Sequence, residues 1–289
     1  MSAKGGGVNR DRPLAPRGYL PWWVLPGMAA TAPVAALAGV PAVAHALFHP
    51  AWAAFVLSAT LANCAWFGPV VTNFKTPRRE VWLTIDDGPD PEDTPRLLDL
   101  LDATRARATF FVIGEKAHRH PTLLDEIVRR GHGLGNHTQT HLVARFWASG
   151  PWTARREIER AQLAIGHPTE IVRAPVGMAN IFAHRAARQL GLVVVGWSIR
   201  SYDTRATSGA EVAGRVAAQL APGRIVMLHE GHRDNDGRSY HPAVVSAVLG
   251  RLREGGWSAV IPPRSSWLSR GRPLVPTANA SEQAQAGGC

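Results

Sequence analysis

The 289-residue chain is poor in cysteine, which limits both its redox chemistry and the metal sites that it can build. Its two cysteines are Cys64, inside an apolar run, and Cys289 at the last position. Neither is placed for a disulfide, and this leaves the redox compartment open. Two thiols cannot complete a structural zinc site by themselves. Any metal must therefore be bound by histidine and carboxylate side chains.

Lysine is also scarce, although the chain is basic overall. Only three lysines occur, so arginine supplies almost all of the formal net charge of +10. The arginines are spread along the chain, and neither a recognition motif nor alternation with aromatic residues accompanies them. We therefore predict no nucleic-acid partner. An anionic lipid surface or an acidic ligand fits the charge better.

Charged side chains are missing altogether from residues 18–74. This length exceeds the about 20 residues that one membrane-spanning helix needs. Pro50 divides it into residues 19–48 and residues 51–71. We expect a flexible basic tail over residues 1–17, followed by a hydrophobic helical membrane segment over 18–74, with two helices favoured and membrane lipid as the partner.

Three topologies are compatible with this segment. Two spans would place both basic flanks, and the catalytic part, on the cytoplasmic side, which we slightly favour. A signal peptide cleaved near residues 44–46, followed by one span, would place the catalytic part outside. A buried hydrophobic hairpin in a soluble protein is the third interpretation.

From residue 80 onward, short apolar runs alternate with helical segments, which is typical of parallel strands joined by helical crossovers. The runs lie at residues 81–85, 108–113, 133–136, 170–173, 192–199, 224–229 and 257–261, and the helical segments at 95–103, 121–130, 153–165, 181–190, 208–220 and 242–254. The pattern predicts an α/β fold, a small distorted (β/α)7 barrel over residues 75–265. A disordered tail is expected over 266–289.

Two adjacent carboxylates, Asp86 and Asp87, follow the first predicted strand and lead into a Gly-Pro turn. Both cannot be buried without a partner, because desolvated like charges repel each other. A bound cation would resolve this, with one carboxylate as its ligand and the other free to act as a base. An ordinary turn explains the same four residues equally well when they are taken alone.

A histidine pair favours the cation site over the ordinary turn. His137 and His141 follow the third predicted strand with a spacing that can bring both imidazoles to one side of a helical turn. Two histidines and one aspartate leave a position for water, as in catalytic zinc sites. A surface helix face is the alternative. Both pairs lie at predicted strand ends, where β/α barrels place their active sites.

Three later strand ends carry further polar clusters. They are residues 173–177, 197–203 and 227–230. Each is unremarkable alone, since Asp203 could cap a turn and His229 could be a core histidine. All five clusters nevertheless fall on the same predicted rim, which favours one common site.

These five elements, in this order and at this spacing, resemble the polysaccharide deacetylases of the NodB-homology group, carbohydrate esterase family four. The resemblance covers about residues 80–261 and implies a NodB-like barrel. It implies Asp86 as general base and one divalent metal ion bound by Asp87, His137 and His141. Zinc is the first expectation, and cobalt, iron(II) or manganese are alternatives.

The resemblance also assigns the remaining residues of the rim. Arg173 would hold Asp86 in place, and His229 would be the general acid, oriented by Asp203. The backbone N–H of Val176 would face the developing oxyanion. The acyl pocket would be lined by Trp197, Met227 and Leu228. The chain departs from the family at Ser198 and Thr204, and the tryptophan missing from the latter place removes one wall of the sugar site.

The sequence therefore predicts a metal-dependent hydrolase that removes N-acetyl or other N-acyl groups from amino sugars of a polysaccharide or lipid-linked glycan. One alternative is a deformylase or deacetylase of a lipid- or nucleotide-linked sugar precursor. Another is a non-catalytic glycan-binding module of the same fold. A metal-dependent phosphodiesterase would need a second metal, for which only His232, Asp234 and Asp236 are spare. The oligomeric state is not predicted.

Overall fold

The computed structural model describes residues 50, 53, 55–57, 59–143, 145–205, 208–234, 236–269, 272 and 273. The strands in these ranges are β1 (Val70–Phe74), β2 (Glu80–Gly88), β3 (Ala108–Val112), β4 (Gly133–Asn136), β5 (Ile171–Val172), β6 (Val193–Val195), β7 (Ile199–Arg200), β8 (Arg224–His229), β9 (Ser258–Ala259), β10 (Trp267–Ser269) and β11 (Arg272–Pro273). The helices are α1 (Asp93–Ala103), α2 (Gly114–Arg119), α3 (Pro121–Arg129), α4 (Pro151–Ile165), α5 (Ile181–Gln189), α6 (Gly209–Ala217) and α7 (His241–Glu254).

A ring of strands forms the centre of the domain, in the order β1, β6, β5, β4, β3, β2, β8. Neighbours along this path are parallel, and a single antiparallel bridge between Asn73 and Arg224 joins β1 to β8. The predicted small seven-stranded α/β barrel is thus confirmed. Since the ring strands run in one direction, their carboxyl ends meet at one rim.

Membership of the ring differs from the expectation in two places. The predicted strand over 192–199 is divided into β6 and β7, and β7 pairs with β8 outside the ring. The predicted strand over 257–261 is reduced to β9, which pairs with the start of β2. β1 is a ring strand instead. It was not predicted as a strand, because its residues lie at the end of the stretch that has no charged side chains.

The core has two layers because alternate residues of each strand point to opposite faces. Outside the ring, Leu83, Phe110 and Val226 pack with buried leucines and valines of α1, α3, α6 and α7. Inside it, the side chains are more aromatic and include Trp82 and Phe111. Strands covered on both faces carry almost continuous apolar runs, which explains why β2 and β3 could be found from the sequence.

The expected membrane segment is corrected at its end. Residues 61–74 belong to the barrel domain, where Ala65 and Phe67 are buried and the Asn63 side chain donates a hydrogen bond to the Trp197 carbonyl at 3.0 Å. The second span, predicted over 51–71, is therefore wrong in its second half. Among the described residues no helix has the length and apolar character to cross a membrane. Residues 18–49 and the predicted tail over 1–17 lie outside the described ranges.

The carboxyl-terminal boundary is corrected as well. Trp267, assigned to a disordered tail over 266–289, begins β10, which pairs antiparallel with β1. Its ring stacks on Trp82 with a centroid separation of 5.5 Å. Burial of two indoles accounts for the order of this segment. Residues 274–289 lie outside the described ranges.

Candidate active site

A cavity of about 200 Å³ opens at the carboxyl-end rim of the barrel. Eight of the sequence-predicted site residues line it: Asp86, Asp87, His137, His141, Val176, Trp197, Met227 and His229. Arg173 and Asp203 are fully buried beside it, where Arg173 contacts Asp86 and His137 and Asp203 contacts His229. The clusters from five strand ends therefore meet at one site.

Asp86 and Asp87 both reach the cavity because β2 is irregular at its end. In a regular strand, adjacent side chains would point to opposite faces. The pairing between β2 and β3 shifts between Asp86 and Gly88, and Asp87 has a φ of 73°. An aspartate tolerates this left-handed conformation better than most residues. The shift turns both carboxylates toward the same cavity.

Asp87, His137 and His141 form a cluster in which one ligand atom from each residue lies within 4.8 Å of the others. Asp87 Oδ1 is 3.3 Å from His137 Nε2 and 3.2 Å from His141 Nε2. Ligand atoms of one tetrahedral zinc ion are about 3.3 Å apart, given metal–ligand distances near 2.0 Å. Asp87 Oδ1 is also buried and receives no hydrogen bond from the described residues. The residues therefore fit a divalent cation.

The hydrogen bonding and protonation of these three residues also agree with a bound cation. His137 Nδ1 is 2.9 Å from the carbonyl oxygen of Arg173 and donates to it, which leaves the Nε2 lone pair free. Burial and the neighbouring His137 lower the pKa of His141 to about 4. Burial raises the pKa of Asp87, but the histidine rings outweigh this and lower it far below its usual value. At neutral pH these residues offer a carboxylate and, at His141, a neutral imidazole.

The histidine pair is not on a helical turn, as its spacing suggested. Residues 137–141 form an irregular loop after β4, in which Thr138 and His141 have φ values of 66° and 51°. The Thr140 backbone N–H donates to Glu157 of α4 at 2.9 Å and thereby fixes the loop. The imidazoles meet with ring centroids 4.7 Å apart.

Asp86 is held by Arg173, as the resemblance implied. The Arg173 guanidinium donates to Asp86 Oδ1 at 2.5 Å, to Thr84 Oγ1 at 2.9 Å and to the Gly196 carbonyl at 2.7 Å. Its carbon Cζ lies 4.0 Å from the centre of the Phe111 ring. The other oxygen of Asp86, Oδ2, is 3.9 Å from His137 Nε2. Asp86 is thus fixed beside the metal cluster with one oxygen available to the cavity.

His229 lies beside Asp86, because the parallel register of β2 and β8 makes the two residues cross-strand neighbours. Its Nδ1 is 2.7 Å from Asp203 Oδ1, and its backbone N–H donates to Asp203 Oδ2 at 2.7 Å. Burial lowers the pKa of His229, but the hydrogen bond and charge of Asp203 outweigh this and raise it to about 9. His229 is therefore protonated at neutral pH and can donate a proton.

Two of the three residues that were predicted to line the acyl pocket lie in the cavity. Trp197 and Met227 line the cavity, and Val176 lies in the turn Pro175–Gly177 with a φ of 54°. Leu228 does not line it, because the strand alternates and directs this side chain into the outer core. The assignment of Leu228 to the pocket is therefore wrong.

Four lining residues had no assigned role in the sequence analysis: Val143, Arg200, Tyr202 and Thr204. His232 also lines the cavity, and its Nε2 is 3.6 Å from Asp87 Oδ2. Arg200 could have been found as a charged residue at a predicted strand end, whereas Tyr202 has a φ of 56° that no simple pattern predicts. Among the described residues, one group of histidine and acidic side chains has metal-ligand geometry. A two-metal phosphodiesterase site therefore finds no support there.

Comparisons with known proteins agree with this geometry. The family described as polysaccharide deacetylase matches residues 73–195. A peptidoglycan-N-acetylglucosamine deacetylase of Bacillus cereus is 34% identical over 189 residues, which cover 62% of this chain and 84% of the relative. A chitooligosaccharide deacetylase of Sinorhizobium fredii is 33% identical over 193 residues, which cover 61% of this chain and 87% of the relative.

A solved structure has the same fold. The crystal structure of a peptidoglycan N-acetylglucosamine deacetylase superposes with a TM-score of 0.58 at 26% identity, over 65% of this chain and 88% of that one. The barrel and its rim define a hydrolase of the NodB-homology class. The chain belongs to the polysaccharide deacetylase family, and it is a hydrolase that acts on the amide bonds of a polysaccharide.

Proposed function

We propose that the protein is a metal-dependent deacetylase that removes N-acetyl groups from N-acetylglucosamine-containing glycans. The observation that carries the proposal is that one cavity holds a three-ligand cluster, a fixed carboxylate, Asp86, and an imidazole paired with a buried carboxylate, His229. The names of the relatives, peptidoglycan-N-acetylglucosamine deacetylase and chitooligosaccharide deacetylase, support the substrate class.

Asp87, His137 and His141 would hold one divalent cation, with zinc favoured by the donor set of one carboxylate and two imidazoles. Such an ion supplies Lewis acidity, which lowers the pKa of water and polarises an acyl carbonyl. The buried oxygen of Asp87, which lacks a hydrogen-bond donor among the described residues, supports this role.

Asp86 would act as the general base and accept a proton from the attacking water. Arg173 keeps the carboxylate in place, and one of its oxygens faces the cavity. The backbone N–H of Val176 would donate to the oxygen that becomes negatively charged, and one such donor contributes about 3 kcal/mol.

His229 would then protonate the nitrogen as the carbon–nitrogen bond breaks, because an amine cannot depart as an anion. Its Nδ1 is occupied by Asp203, so the proton is delivered from Nε2. The products are acetate and the free amino sugar. Asp86 must be ionised while His229 is protonated, and Asp203 favours the protonated imidazole.

Mass spectrometry of N-acetylated glycans before and after incubation with the zinc-loaded protein tests the proposal. We expect the mass loss of one acetyl group in chitooligosaccharides or peptidoglycan fragments, and no loss once a chelator has removed the ion. Asp86→Asn and His229→Ala should each lower kcat by about 10²- to 10⁴-fold, the range of general acid–base catalysis.

Asp99→Asn on the exposed surface of α1 is the matched control and should leave kcat unchanged. Activity that persists at the wild-type rate in the metal-free protein would refute metal dependence. A wild-type rate in His229→Ala would refute the assignment of the acid.

A further inference from the structure

Arg200 brings an unneutralised positive charge to the catalytic cavity. It ends β7, is half-buried, and lines the same cavity as Asp86 and His229. Ion pairs among the described residues connect no carboxylate to its guanidinium. We propose that Arg200 binds an anionic group of the substrate, so that the enzyme prefers N-acetylated amino sugars that carry a phosphate or carboxylate. This inference rests on the proposed deacetylase function and specifies its substrate.

Two aromatic rings hold the Arg200 side chain in place. Its carbon Cζ lies 4.8 Å from the centre of the Tyr202 ring and 5.9 Å from that of Trp197. Tyr202 is flanked on another side by Arg215, which is anchored to the Ser201 carbonyl at 2.6 Å. Stacking satisfies the faces of a guanidinium and leaves its N–H donors at the edge. The donors are thus presented in a fixed position.

Four of the five other buried or half-buried arginines among the described residues pair with carboxylates, and the exception is Arg224. Arg173 donates to Asp86 at 2.5 Å, Arg130 to Asp99 at 2.7 Å and Arg233 to Asp90 at 2.9 Å. A partly desolvated guanidinium loses free energy unless its donors find acceptors. A planar fork of donors matches the oxygens of phosphate and carboxylate groups in a bidentate manner. A substrate anion would supply the acceptor that the described residues do not.

The charges of the surrounding cavity favour the same conclusion. Asp86 is neutralised by Arg173, and Asp87 is shared between two imidazoles and, in the proposed function, a divalent cation. His229 is paired with Asp203, so Arg200 is the lining cation for which the described residues provide no carboxylate partner. An unbalanced positive charge attracts and orients ligands of the opposite sign.

The test compares three disaccharides that differ in charge. They are neutral di-N-acetylchitobiose, its 1-phosphate, and the disaccharide of N-acetylglucosamine and N-acetylmuramic acid, which carries a carboxylate. Deacetylation by the zinc-loaded full chain gives kcat and KM for each, and calorimetry of the 1-phosphate and the neutral sugar gives their affinities. The two anionic substrates separate a phosphate preference from a carboxylate preference.

We expect at least one anionic disaccharide to be favoured in kcat/KM, and Arg200→Gln to abolish that preference with a loss of at least about tenfold, mainly in KM. Arg200→Lys should retain part of it, because the charge remains while the fork is lost. Kinetics on the neutral sugar should change less than kinetics on the favoured anionic sugar. Arg188→Gln, on an exposed position of α5, is the matched control.

The inference fails if wild type treats all three disaccharides alike, or if Arg200→Gln lowers all three equally. Turnover without charge preference would refute the anion subsite alone. Preferential, Arg200-dependent binding of the 1-phosphate without any turnover would refute the proposed deacetylation and uphold the subsite.

Discussion

At the scale of single residues, each of the two acid–base groups of the site has a buried ion-pair partner. Asp86 lies against a buried guanidinium, whereas His229 lies against the fully buried carboxylate of Asp203. The Asp203 carboxylate outweighs the effect of burial and raises the pKa of His229, so its imidazole is protonated at neutral pH. General acid–base catalysis of amide hydrolysis requires such a proton donor near the base.

Removing the charge of Asp203 should shift the pH profile. Burial lowers the pKa of His229, but Asp203, with smaller contributions from Asp86 and Asp87, outweighs it and raises this pKa to about 9, so wild-type activity should fall only as the pH rises through about 9. In Asp203→Asn the pKa should fall toward 6.5, and the alkaline limb of kcat/KM should move to lower pH. The measurement is kcat/KM of the zinc-loaded protein between pH 5 and about pH 10.

Ser201→Ala is the control for this shift. It removes a hydrogen bond of 2.7 Å to Asp203 but leaves the carboxylate charge, so a much smaller displacement of the limb is expected. An alkaline limb that stays in place in Asp203→Asn would show that His229 is not the group being titrated.

The sequence was sufficient for the residues whose chemistry is unusual. Adjacent carboxylates at a strand end and a spaced histidine pair can be recognised without coordinates, and both lie in the cavity. Leu228 was misplaced because the phase of the strand alternation, inward or outward, depends on packing that one strand does not reveal. Tyr202 was missed because its left-handed backbone, with a φ of 56°, follows from the turn after β7 rather than from a motif.

At the scale of elements, the loop that follows β8 is tied to the turn after β2. Arg233 donates to both oxygens of Asp90, at 2.9 and 3.1 Å. Asp93 accepts from the Gly231 backbone N–H at 2.8 Å and from the Ser239 hydroxyl. These contacts join the segment that follows Asp87 at the end of β2 to the loop that follows His229 at the end of β8. We call this set of contacts the latch.

Breaking this latch should reduce both stability and catalysis. Arg233 pairs with Asp90, Glu92 and Asp93, and two of these carboxylates are buried, so its loss should lower the free energy of unfolding by about 1 to 3 kcal/mol. Arg233→Ala should also lower kcat by about tenfold, because loosening of catalytic groups is costly. Kinetics, thermal unfolding and hydrogen exchange of residues 230–240 provide the measurements.

Arg238→Ala, in the same loop, is the control, because Arg238 is largely exposed and pairs only weakly, at 3.5 Å, with Asp236. It should affect neither kcat nor exchange. Should Arg233→Ala leave both unchanged as well, the latch would have no role in positioning His229.

Helix boundaries were predicted closely, since their signals are local. Pro121 and Pro151 occupy first turns, and the side chains of Asn180 and Ser208 cap α5 and α6. β1 was missed for the opposite reason. Its apolar residues continue a charge-free stretch, and only pairing with β6, distant in the sequence, distinguishes a strand from a span.

At the scale of the whole molecule, the finding that residues 61–74 belong to the barrel domain changes the predicted membrane topology. The cytoplasmic preference depended on two spans with basic residues at both flanks. With the second half of the second predicted span inside the barrel domain, residues 19–48 remain the one predicted span, after a tail that contains Lys4, Arg10, Arg12 and Arg17. We propose that they form a single span, for which the positive-inside rule would place this tail in the cytoplasm and the barrel on the opposite side.

A reporter fused after Cys289 tests this revised orientation. We expect alkaline phosphatase to be active there and a fluorescent protein that folds only in the cytoplasm to be dark, because one span separates the basic tail from the barrel. A variant that lacks residues 1–49 is the control and should lose both membrane association and phosphatase activity. Bright cytoplasmic fluorescence with inactive phosphatase would contradict the single span and favour a lipid- or nucleotide-linked sugar over cell-wall glycan. An external barrel would instead meet glycans whose muramic acid carboxylates suit the unpaired guanidinium of Arg200.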